Sequence, residues 1–371
     1  MNLLEILLST GAQSFSGVPD SVLAPLSDAL VDQYGQDGLH LVAANEGNAV
    51  AFAAGQHLAT GKIPIVYMQN SGIGNAVNPV ASLLNPKIYG IPCIFVIGWR
   101  GVPGVADEPQ HVFQGEITLK LLELLDISYF VIDKGTSAES VKAKLLEWKP
   151  LLDSGNSVAF VIKKGALSSV VDPEYSNGYS LNREAVIERI LSTSGSDPVI
   201  STTGKISREL YEIRERNQQG HKRDFLTVGS MGHASSIALG IASSLPDTKI
   251  WCLDGDGAAL MHMGALAVIG ARAPKNMVHI VLNNAAHESV GGVPTIADRI
   301  SLCDAAFACG YGHVFSCETQ DQLDVALESA TSGNALAFIE VKCALGSRKD
   351  LGRPKTTPIE NKKEFMEHLQ S

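Results

Sequence analysis

Short runs of consecutive apolar residues alternate along the chain with longer stretches in which apolar and polar residues recur at helical spacing. These runs lie at 63–69, 91–99, 158–162, 249–253, 277–282 and 336–342. Because each run is apolar throughout rather than at every second position, it is typical of a parallel strand covered by helices on both faces. The pattern therefore predicts an α/β protein built from doubly wound parallel sheets.

The alternation of strand and helix occurs twice. Residues 166–181 separate the two series and combine Pro, Gly, Ser and Asn without clear periodicity, as a linker does. We therefore expect one domain at 1–165 and a second at 182–371, with no central third domain. Within the first series we expect a short strand at 13–17. Residues 102–114, rich in Pro, Gly, acid and His, are interpreted as a functional loop.

Composition narrows the classes of protein to consider. The 371 residues carry a formal net charge of −10 and contain no basic run, which argues against nucleic acid as a partner. The six cysteines include no C-x-x-C pair, which favours buried free thiols in a reducing compartment. We find no convincing signal peptide and no apolar run of transmembrane length. We expect a cytoplasmic protein that does not bind membranes.

Two polar motifs follow neighbouring strands of the second series. Gly255-Asp256-Gly257 comes after the run at 249–253, and Asn283-Asn284 comes after the run at 277–282. Either motif alone would be read as a turn or a helix cap. Together, one crossover helix apart, they predict a carboxylate and an amide at the same sheet edge, where open α/β sheets bind ligands. This oxygen-rich pair suits Mg²⁺ or Ca²⁺ anchoring a phosphorylated ligand.

These motifs and their spacing closely resemble the metal and diphosphate motif of thiamin-diphosphate-dependent enzymes. Further segments resemble the phosphonopyruvate decarboxylase family of thiamin-diphosphate-dependent 2-keto acid decarboxylases over nearly the whole chain. These segments are SGVPDSVLAPL (16–26), YMQNSGIGNAVNP (67–79), GWRGVPGVADEPQH (98–111), STTGKISREL (201–210), GSMGHASSIALG (229–240) and NNAAHESVGGVPT (283–295).

The resemblance implies how a thiamin diphosphate would be held. Asp256, Asn284 and a main-chain oxygen of Ala286 are expected to hold Mg²⁺, which holds the diphosphate, and Met231 is expected to support the bent cofactor. We note that residue 285 is Ala, where Gly is expected about as readily. The other residues expected to contact the cofactor are Thr203, Gly204, Gly229, Gly255, Gly257 and Ala258. Glu46 is expected to share a proton with the aminopyrimidine, which generates the thiazolium ylide.

The resemblance also implies a reaction. It points to decarboxylation of 3-phosphonopyruvate to phosphonoacetaldehyde and CO₂ by ylide chemistry, in phosphonate biosynthesis. It implies a homodimer or larger assembly, whose active sites are shared between the two kinds of domain of different subunits. A sulfopyruvate decarboxylase is the nearest alternative. An NAD-dependent dehydrogenase is less favoured, because the third glycine of the dinucleotide fingerprint is missing. Intact Glu46, Asp256 and Asn284 argue against a non-catalytic regulatory subunit.

An anionic 2-keto acid requires cations and a proton donor. Arg100, Lys205 and Arg208 lie in or beside strand-end loops and are our candidates for binding the substrate anion. Each could equally form a surface ion pair. Asp20, His111 and His287 join Glu46 as candidate catalytic residues. A histidine that titrates near neutral pH could protonate the enamine carbon. The sequence leaves the division of labour among these three residues open.

Overall fold

The computed structural model describes residues 1–9, 11–12, 14–36 and 38–371. The described chain divides into two compact units, Met1–Tyr175 and Ser176–Ser371. Over these residues each unit is built on one six-stranded sheet whose paired strands all run parallel. The predicted α/β class with two doubly wound parallel sheets is confirmed.

The first unit alternates strands and helices from its start. Its strands are β1 (Phe15–Gly17), β2 (His40–Val42), β3 (Ile65–Gln69), β4 (Ile94–Gly98), β5 (Ser128–Ile132) and β6 (Val158–Ile162). Its helices are α1 (Leu3–Leu8), α2 (Ala24–Tyr34), α3 (Glu46–Thr60), α4 (Ile73–Pro79), α5 (Pro109–Leu124) and α6 (Ala138–Asp153). A π-helical turn, Val80–Leu84, continues α4.

The sheet of the first unit has the strand order β2-β1-β3-β4-β6-β5. Successive residues of its central strand β4 point to opposite faces, as the pleat requires. Ile94 and Val96 pack into one buried apolar cluster, and Phe95 and Ile97 pack into another on the opposite face. The continuous apolar run in this strand is therefore explained by two buried faces.

In the first unit, one expectation is partly wrong, and another falls partly outside the described residues. The stretch 102–114 is not all loop, because α5 begins at Pro109 and contains residues 109–114. The helix was missed because Pro109 begins it without a side-chain cap and Gly115 interrupts its apolar pattern. The first strand occupies Phe15–Gly17 of the expected 13–17, and residue 13 lies outside the described residues.

The second unit repeats the alternation. Its sheet strands are β7 (Val199–Ser201), β8 (Asp224–Leu226), β9 (Ile250–Gly255), β10 (Met277–Asn283), β13 (His313–Cys317) and β14 (Ala337–Lys342), with a small hairpin formed by β11 (Ala286–His287) and β12 (Val293–Pro294). Its helices are α7 (Arg183–Ser194), α8 (Lys205–Arg216), α9 (Ala234–Ser244), α10 (Asp256–Met261), α11 (Gly264–Arg272), α12 (Leu302–Ala308), α13 (Gln320–Ser332) and α14 (Pro358–Leu369).

The sheet of the second unit has the strand order β13-β14-β10-β9-β7-β8. Trp251 and Leu253 of β9 face one apolar cluster, and Ile250 and Cys252 face the other. In the register between β9 and β10, Leu282 pairs with Gly255. Both strands therefore end at the same level, which puts the residues that follow them at one edge of the sheet.

The sequence predicts one helix, at 262–271, between β9 and β10, and α11 (Gly264–Arg272) matches it within two residues. The chain makes two helices, α10 and α11, and the break falls at His262–Met263. All six cysteines are free, and four of them are buried, as the absence of paired spacing indicated. Among the described helices, none combines the length and the apolar character needed to cross a membrane.

Candidate active site

Asp256 lies at the edge of the second sheet, at the first residue of α10 directly after β9. Its buried carboxylate accepts a hydrogen bond from Thr295, with 2.6 Å between Oγ1 and Oδ2. The main-chain N–H groups of Gly257 and Asn284 also donate to it. Burial raises the pKa of Asp256 to about 6, although these donors partly oppose the shift. The structure thus places the main-chain N–H of Asn284 against the carboxylate of Asp256.

Both the nitrogen and the oxygen of the Asn284 side-chain amide form hydrogen bonds. Its Nδ2 donates to Oε2 of Glu288 at 2.6 Å, and its Oδ1 accepts from the main-chain N–H of Ala286 at 3.2 Å. The intervening Ala285 has a φ of 55°, a left-handed conformation that a non-glycine residue adopts at a cost. Asn283 supports this conformation, because its Oδ1 accepts from the N–H of Ala285 at 2.9 Å.

The donor atoms at this edge fit a hard cation. A carboxylate from Asp256, an amide oxygen from Asn284 and the carbonyl of Ala286 are the ligand types that Mg²⁺ prefers, and phosphate oxygens and water normally complete its shell. The carboxylate is buried and has no cationic side chain among the contacts that shift its pKa. A bound cation would supply the missing positive charge. The residues present therefore fit a metal that anchors a diphosphate.

Gly257 lies close to two candidate residues. A Cβ placed on Gly257 would lie 3.1 Å from the ring of His287 and 3.3 Å from Cε of Met231. Because glycine has no side chain, the main chain can lie close to both of these side chains. Ala258, next in the chain, is small and buried. Burial lowers the pKa of His287 to about 4, so this imidazole is neutral at physiological pH.

The loop after β7 contains Thr203, Gly204 and Lys205. Gly204 has a φ of 96°, which few side-chain-bearing residues tolerate, and it precedes α8. Nζ of Lys205 donates to Oε1 of Glu288 at 2.8 Å, so Lys205 lies in the same group as Asn284. Arg208 does not join this group. Its guanidinium donates to the carbonyls of Leu351 and Gly352, an arrangement that does not favour substrate contact.

A histidine pair beside Met231 was not anticipated from the sequence. The rings of His233 and His262 lie 4.3 Å apart. Nε2 of His262 is buried and has no hydrogen-bond partner among the described residues. Gly232 (φ 86°) gives this ring its space, because a Cβ there would lie 2.6 Å from Cδ2 of His262. The two residues are far apart in sequence, and neither lies in a pattern that would have paired them.

In the first unit, Glu46 is the first residue of α3 and is buried. The side chain of Asn45 caps the helix by accepting from the N–H of Asn48 at 3.0 Å. The carboxylate of Glu46 does not perform this capping role. Its Oε2 instead accepts from Nδ2 of Asn75 at 2.8 Å, and a Cβ on Gly72 would overlap it. This arrangement argues against a purely local role of Glu46 at the helix N-terminus.

Asp20 follows β1 and is fully buried. Its Oδ1 accepts from Nε2 of Gln69 at 2.6 Å, and its Oδ2 accepts from the N–H of Val22 at 2.9 Å. Burial raises the pKa of Asp20, and the hydrogen bonds together with the nearby Arg100 guanidinium only partly offset this effect. A buried carboxyl group with a raised pKa can hold or release a proton closer to neutral pH.

Arg100 follows β4 and pairs with Asp107, with distances of 2.9 Å from Nε and 2.5 Å from Nη2 to the carboxylate. Its Nη1 also donates to Ser21 at 3.2 Å. His111 is buried on α5, and its Nδ1 has no hydrogen-bond partner among the described residues. Burial lowers the pKa of His111, and the Arg100 charge lowers it further. Arg100 is thus already paired, whereas His111 retains an unused ring nitrogen.

The C-terminal end of β3 contacts three of these candidates in the first unit. Gln69 donates to Asp20, and the Oδ1 of Asn70 accepts from the N–H of Arg100 at 3.1 Å. Gly72 lies directly against the carboxylate of Glu46. Positions 69, 70 and 72 therefore contact three candidate residues that the sequence places in separate segments.

Two family profiles match the chain. The description "Thiamine pyrophosphate enzyme, N-terminal TPP binding domain" applies to residues 2–123, and "Thiamine pyrophosphate enzyme, C-terminal TPP binding domain" applies to residues 202–341. Thiamine pyrophosphate is another name for thiamin diphosphate. The chain is also 37% identical to a phosphonopyruvate decarboxylase over 98% of its length. It therefore belongs to the family of thiamin-diphosphate-dependent decarboxylases that includes phosphonopyruvate decarboxylases.

Curated relatives match over nearly the full chain. Phosphonopyruvate decarboxylase of Streptomyces viridochromogenes is 37% identical over 98% of this chain and 93% of its own length. Phosphonopyruvate decarboxylase of Streptomyces hygroscopicus is 35% identical over 99% of this chain and 92% of its own length. Sulfopyruvate decarboxylase of Methanosarcina acetivorans is 29% identical over 99% of this chain and 96% of its own length.

Proposed function

We propose that the protein decarboxylates 3-phosphonopyruvate to phosphonoacetaldehyde and CO₂, with thiamin diphosphate and Mg²⁺ as cofactors. The single observation that carries the proposal is the similarity to two phosphonopyruvate decarboxylases at 35–37% identity over nearly their whole length. Thiamin diphosphate, when bound, supplies the electron sink that makes loss of CO₂ from a 2-keto acid feasible.

In this proposal Asp256, Asn284 and the carbonyl of Ala286 bind Mg²⁺, and the backbone at Gly257 and Ala258 approaches the diphosphate. The contact between Asp256 and the N–H of Asn284 supports this role, because it puts two of the metal ligands side by side. Thr203, Gly204, Gly229 and Gly255 are proposed to line the same cofactor site, with Met231 supporting the bent cofactor.

Glu46 is proposed to exchange a proton with the aminopyrimidine ring. Its buried carboxylate, held by Asn75 at 2.8 Å and free of any helix-capping role, supports this assignment. Asp20, His111 and His287 are proposed to handle substrate protons. The free Nδ1 of His111 supports its inclusion, while the low pKa of His287 favours a neutral hydrogen-bonding partner rather than a proton donor.

Arg100 and Lys205 are proposed to attract the phosphonate anion. Both are already paired, Arg100 with Asp107 and Lys205 with Glu288, so each would have to share its charge with the substrate. Arg208 remains our third candidate, and its bonds to two main-chain carbonyls make it the weakest.

We further propose a homodimer or larger assembly in which one chain supplies Glu46 and another supplies Asp256 to the same active site. A cytoplasmic location and a role in phosphonate biosynthesis complete the proposal. The six free thiols are compatible with a reducing compartment.

The experiment is a turnover comparison. Purified protein with thiamin diphosphate and Mg²⁺ is supplied in parallel with phosphonopyruvate, sulfopyruvate and pyruvate, and both CO₂ and aldehyde are measured. We expect the highest kcat/KM for phosphonopyruvate and loss of activity in Glu46→Ala. Near wild-type activity in that variant would contradict the mechanism, and retention of NAD instead of thiamin diphosphate would contradict the cofactor assignment.

Sulfopyruvate is the second candidate substrate, because a sulfopyruvate decarboxylase also aligns with almost the entire chain. A sulfonate carries one negative charge, whereas a phosphonate above its second pKa carries two. If phosphonopyruvate is the substrate, kcat/KM should rise with pH as the second phosphonate proton is lost. A higher kcat/KM for sulfopyruvate across the pH range would replace our proposal with the sulfonate reaction.

A further inference from the structure

Glu288 lies four residues after Asn284 and receives three side chains on one carboxylate. Nδ2 of Asn284 donates to its Oε2 at 2.6 Å, and Nζ of Lys205 donates to its Oε1 at 2.8 Å. Arg183 donates to the same carboxylate from α7, 105 residues away in sequence. No sequence motif indicated a role for Glu288, and none of the candidate roles above uses it.

The chemistry of the hydrogen bond between Asn284 and Glu288 fixes the orientation of the Asn284 side-chain amide. An ionised carboxylate can only accept hydrogen bonds, so the nitrogen of the Asn284 amide must face Glu288. The amide oxygen then points the other way. There Oδ1 accepts from the N–H of Ala286 at 3.2 Å, and the N–H of Asn284 itself donates to Asp256. The oxygen is therefore turned towards Ala286, whose carbonyl is proposed as another metal ligand.

Glu288 is itself held in place. Arg183 is buried and forms two further hydrogen bonds of 2.7 Å with the carboxylate of Glu209 on α8. Together with Lys205, the group contains two positive and two negative side chains, so its formal charges balance. A charge-balanced carboxylate that accepts hydrogen bonds from three side chains has little freedom to turn away from Asn284.

We propose that Glu288 is a positioning residue of the metal site, which locks the Asn284 amide with its oxygen towards the cation. This inference rests on the proposed function, because it assumes that Asn284 binds Mg²⁺. Outer partners of this kind orient metal ligands, and their loss typically weakens metal affinity about 10–100-fold. Arg183 and Lys205 contribute indirectly, because they hold the Glu288 carboxylate in place.

The competing explanation is that Glu288 only completes a buried ion-pair network. Glu209 provides a matched control. Like Glu288, it forms an ion pair with Arg183, but the Asn284 amide donates to Glu288 instead. Glu288→Gln can present its own NH₂ to Asn284 and so permits the amide to turn over. Glu209→Gln weakens the ion-pair network without changing the group that faces the amide.

The test measures metal-dependent cofactor binding instead of turnover. Protein stripped of metal and cofactor is dialysed against thiamin diphosphate at increasing Mg²⁺, and bound cofactor is quantified. We expect the Mg²⁺ concentration at half saturation to rise about tenfold or more for Glu288→Gln, and to stay within about twofold of wild type for Glu209→Gln. Equal shifts in the two variants, or no shift in Glu288→Gln, would overturn the proposal.

A double-mutant cycle tests whether Glu288 acts through Asn284. In an Asn284→Ala background, titrated to higher Mg²⁺, Glu288→Gln should change half saturation by less than about twofold. An undiminished shift in that background contradicts the positioning role. Wild-type protein that fails to bind thiamin diphosphate at any Mg²⁺ concentration would contradict the proposed cofactor site itself, so the two failures are distinguishable.

A structure of the wild-type protein with thiamin diphosphate and Mg²⁺ tests the inference without any variant, in case Glu288→Gln does not fold. We expect Oδ1 of Asn284 on the metal and Nδ2 within hydrogen-bond distance of Glu288. A Glu288 that binds the metal directly, or that has left Asn284, would overturn the assignment.

Discussion

Asn75 donates a hydrogen bond to Glu46 across 2.8 Å, and Gly72 lies against the other side of the same carboxylate. Asn75 and Gly72 lie at the start of α4 and in the turn before it, whereas Glu46 begins α3. The position of this proposed proton-transfer group is therefore set by a neighbouring segment and not by its own helix.

Gly72→Ala should displace the Glu46 carboxylate, because the new Cβ would overlap it. We expect kcat/KM to fall about 100-fold, the loss that a displacement of about 1 Å causes at a reacting group. Steady-state decarboxylation measures the effect, and circular dichroism confirms folding. Gly74→Ala is the matched control, since a Cβ there meets nothing within 4 Å and should leave the rate unchanged. Equal rates in the two variants would refute the positional argument.

Gly257→Ala should weaken binding of thiamin diphosphate. The added Cβ would enter the space between the His287 ring and Met231, at 3.1 and 3.3 Å. We expect the Kd for the cofactor to rise about tenfold, which corresponds to about 1.4 kcal/mol and lies within the usual cost of overpacking. Equilibrium dialysis provides the measurement. Gly264→Ala serves as the control, because its Cβ meets no atom within 4 Å, and it should bind like wild type.

Asp20→Asn should change how stability depends on pH. The folded-state pKa of Asp20 is raised by burial, so the native state holds a proton that the unfolded state has already released. The contribution of Asp20 to the stability of the wild-type protein is thus greatest below about pH 4. This contribution is lost as pH rises through the raised pKa of Asp20. We expect the Tm of Asp20→Asn, relative to wild type, to increase between about pH 4 and pH 7.

In a domain of 150–250 residues, each 1 kcal/mol of relative gain raises the Tm difference by about 2–4 °C. Thermal unfolding followed at several pH values measures it. A Tm difference that stays constant over this range would show that Asp20 is ionised with an ordinary pKa. Decarboxylation by the same variant should fall, because Asn cannot exchange the proton.

Mixing two inactive variants should restore activity if chains share active sites. Glu46→Ala and Asp256→Ala damage different halves of the proposed site, so a mixed dimer has one site with both defects and one intact site. With random pairing, about a quarter of wild-type activity is expected in the whole mixture and about half in the isolated mixed dimer. Co-expression with two different affinity tags isolates the mixed dimer. No recovery of activity in that dimer would indicate that each chain completes its own site.

Strands were the most predictable part of the fold. The runs at 158–162 and 249–253 correspond to β6 and to most of β9, because burial on both faces leaves a continuous apolar signal. Helix α5 was not predicted, since a proline start and an internal glycine hid it. Strand order was also beyond the sequence, because it depends on which strands pair and not on any local pattern.

The candidate site was likewise predicted only in part from the sequence. Asp256 and Asn284 were found because each directly follows a strand and belongs to a spaced motif. Glu288 was missed because no motif assigns it a role and two of its partners, Arg183 and Lys205, are distant in sequence. The pair of His233 and His262 was missed because no motif joins these two residues. Arg208 looked like a free strand-end cation, but the structure bonds it to two carbonyls. Whether a charge is already engaged depends on tertiary contacts that a sequence pattern does not contain.

The support that positions 69–72 give to Asp20, Arg100 and Glu46 has a consequence for engineering. A library that varies these four positions would disturb several proposed functions in every clone, so we expect few active members. Libraries directed at exposed positions of the segment before α5, such as Val105, would instead leave the shared support intact. Positions 69–72 thus belong to the part of the first unit to be preserved, and exposed positions such as Val105 belong to the part open to redesign.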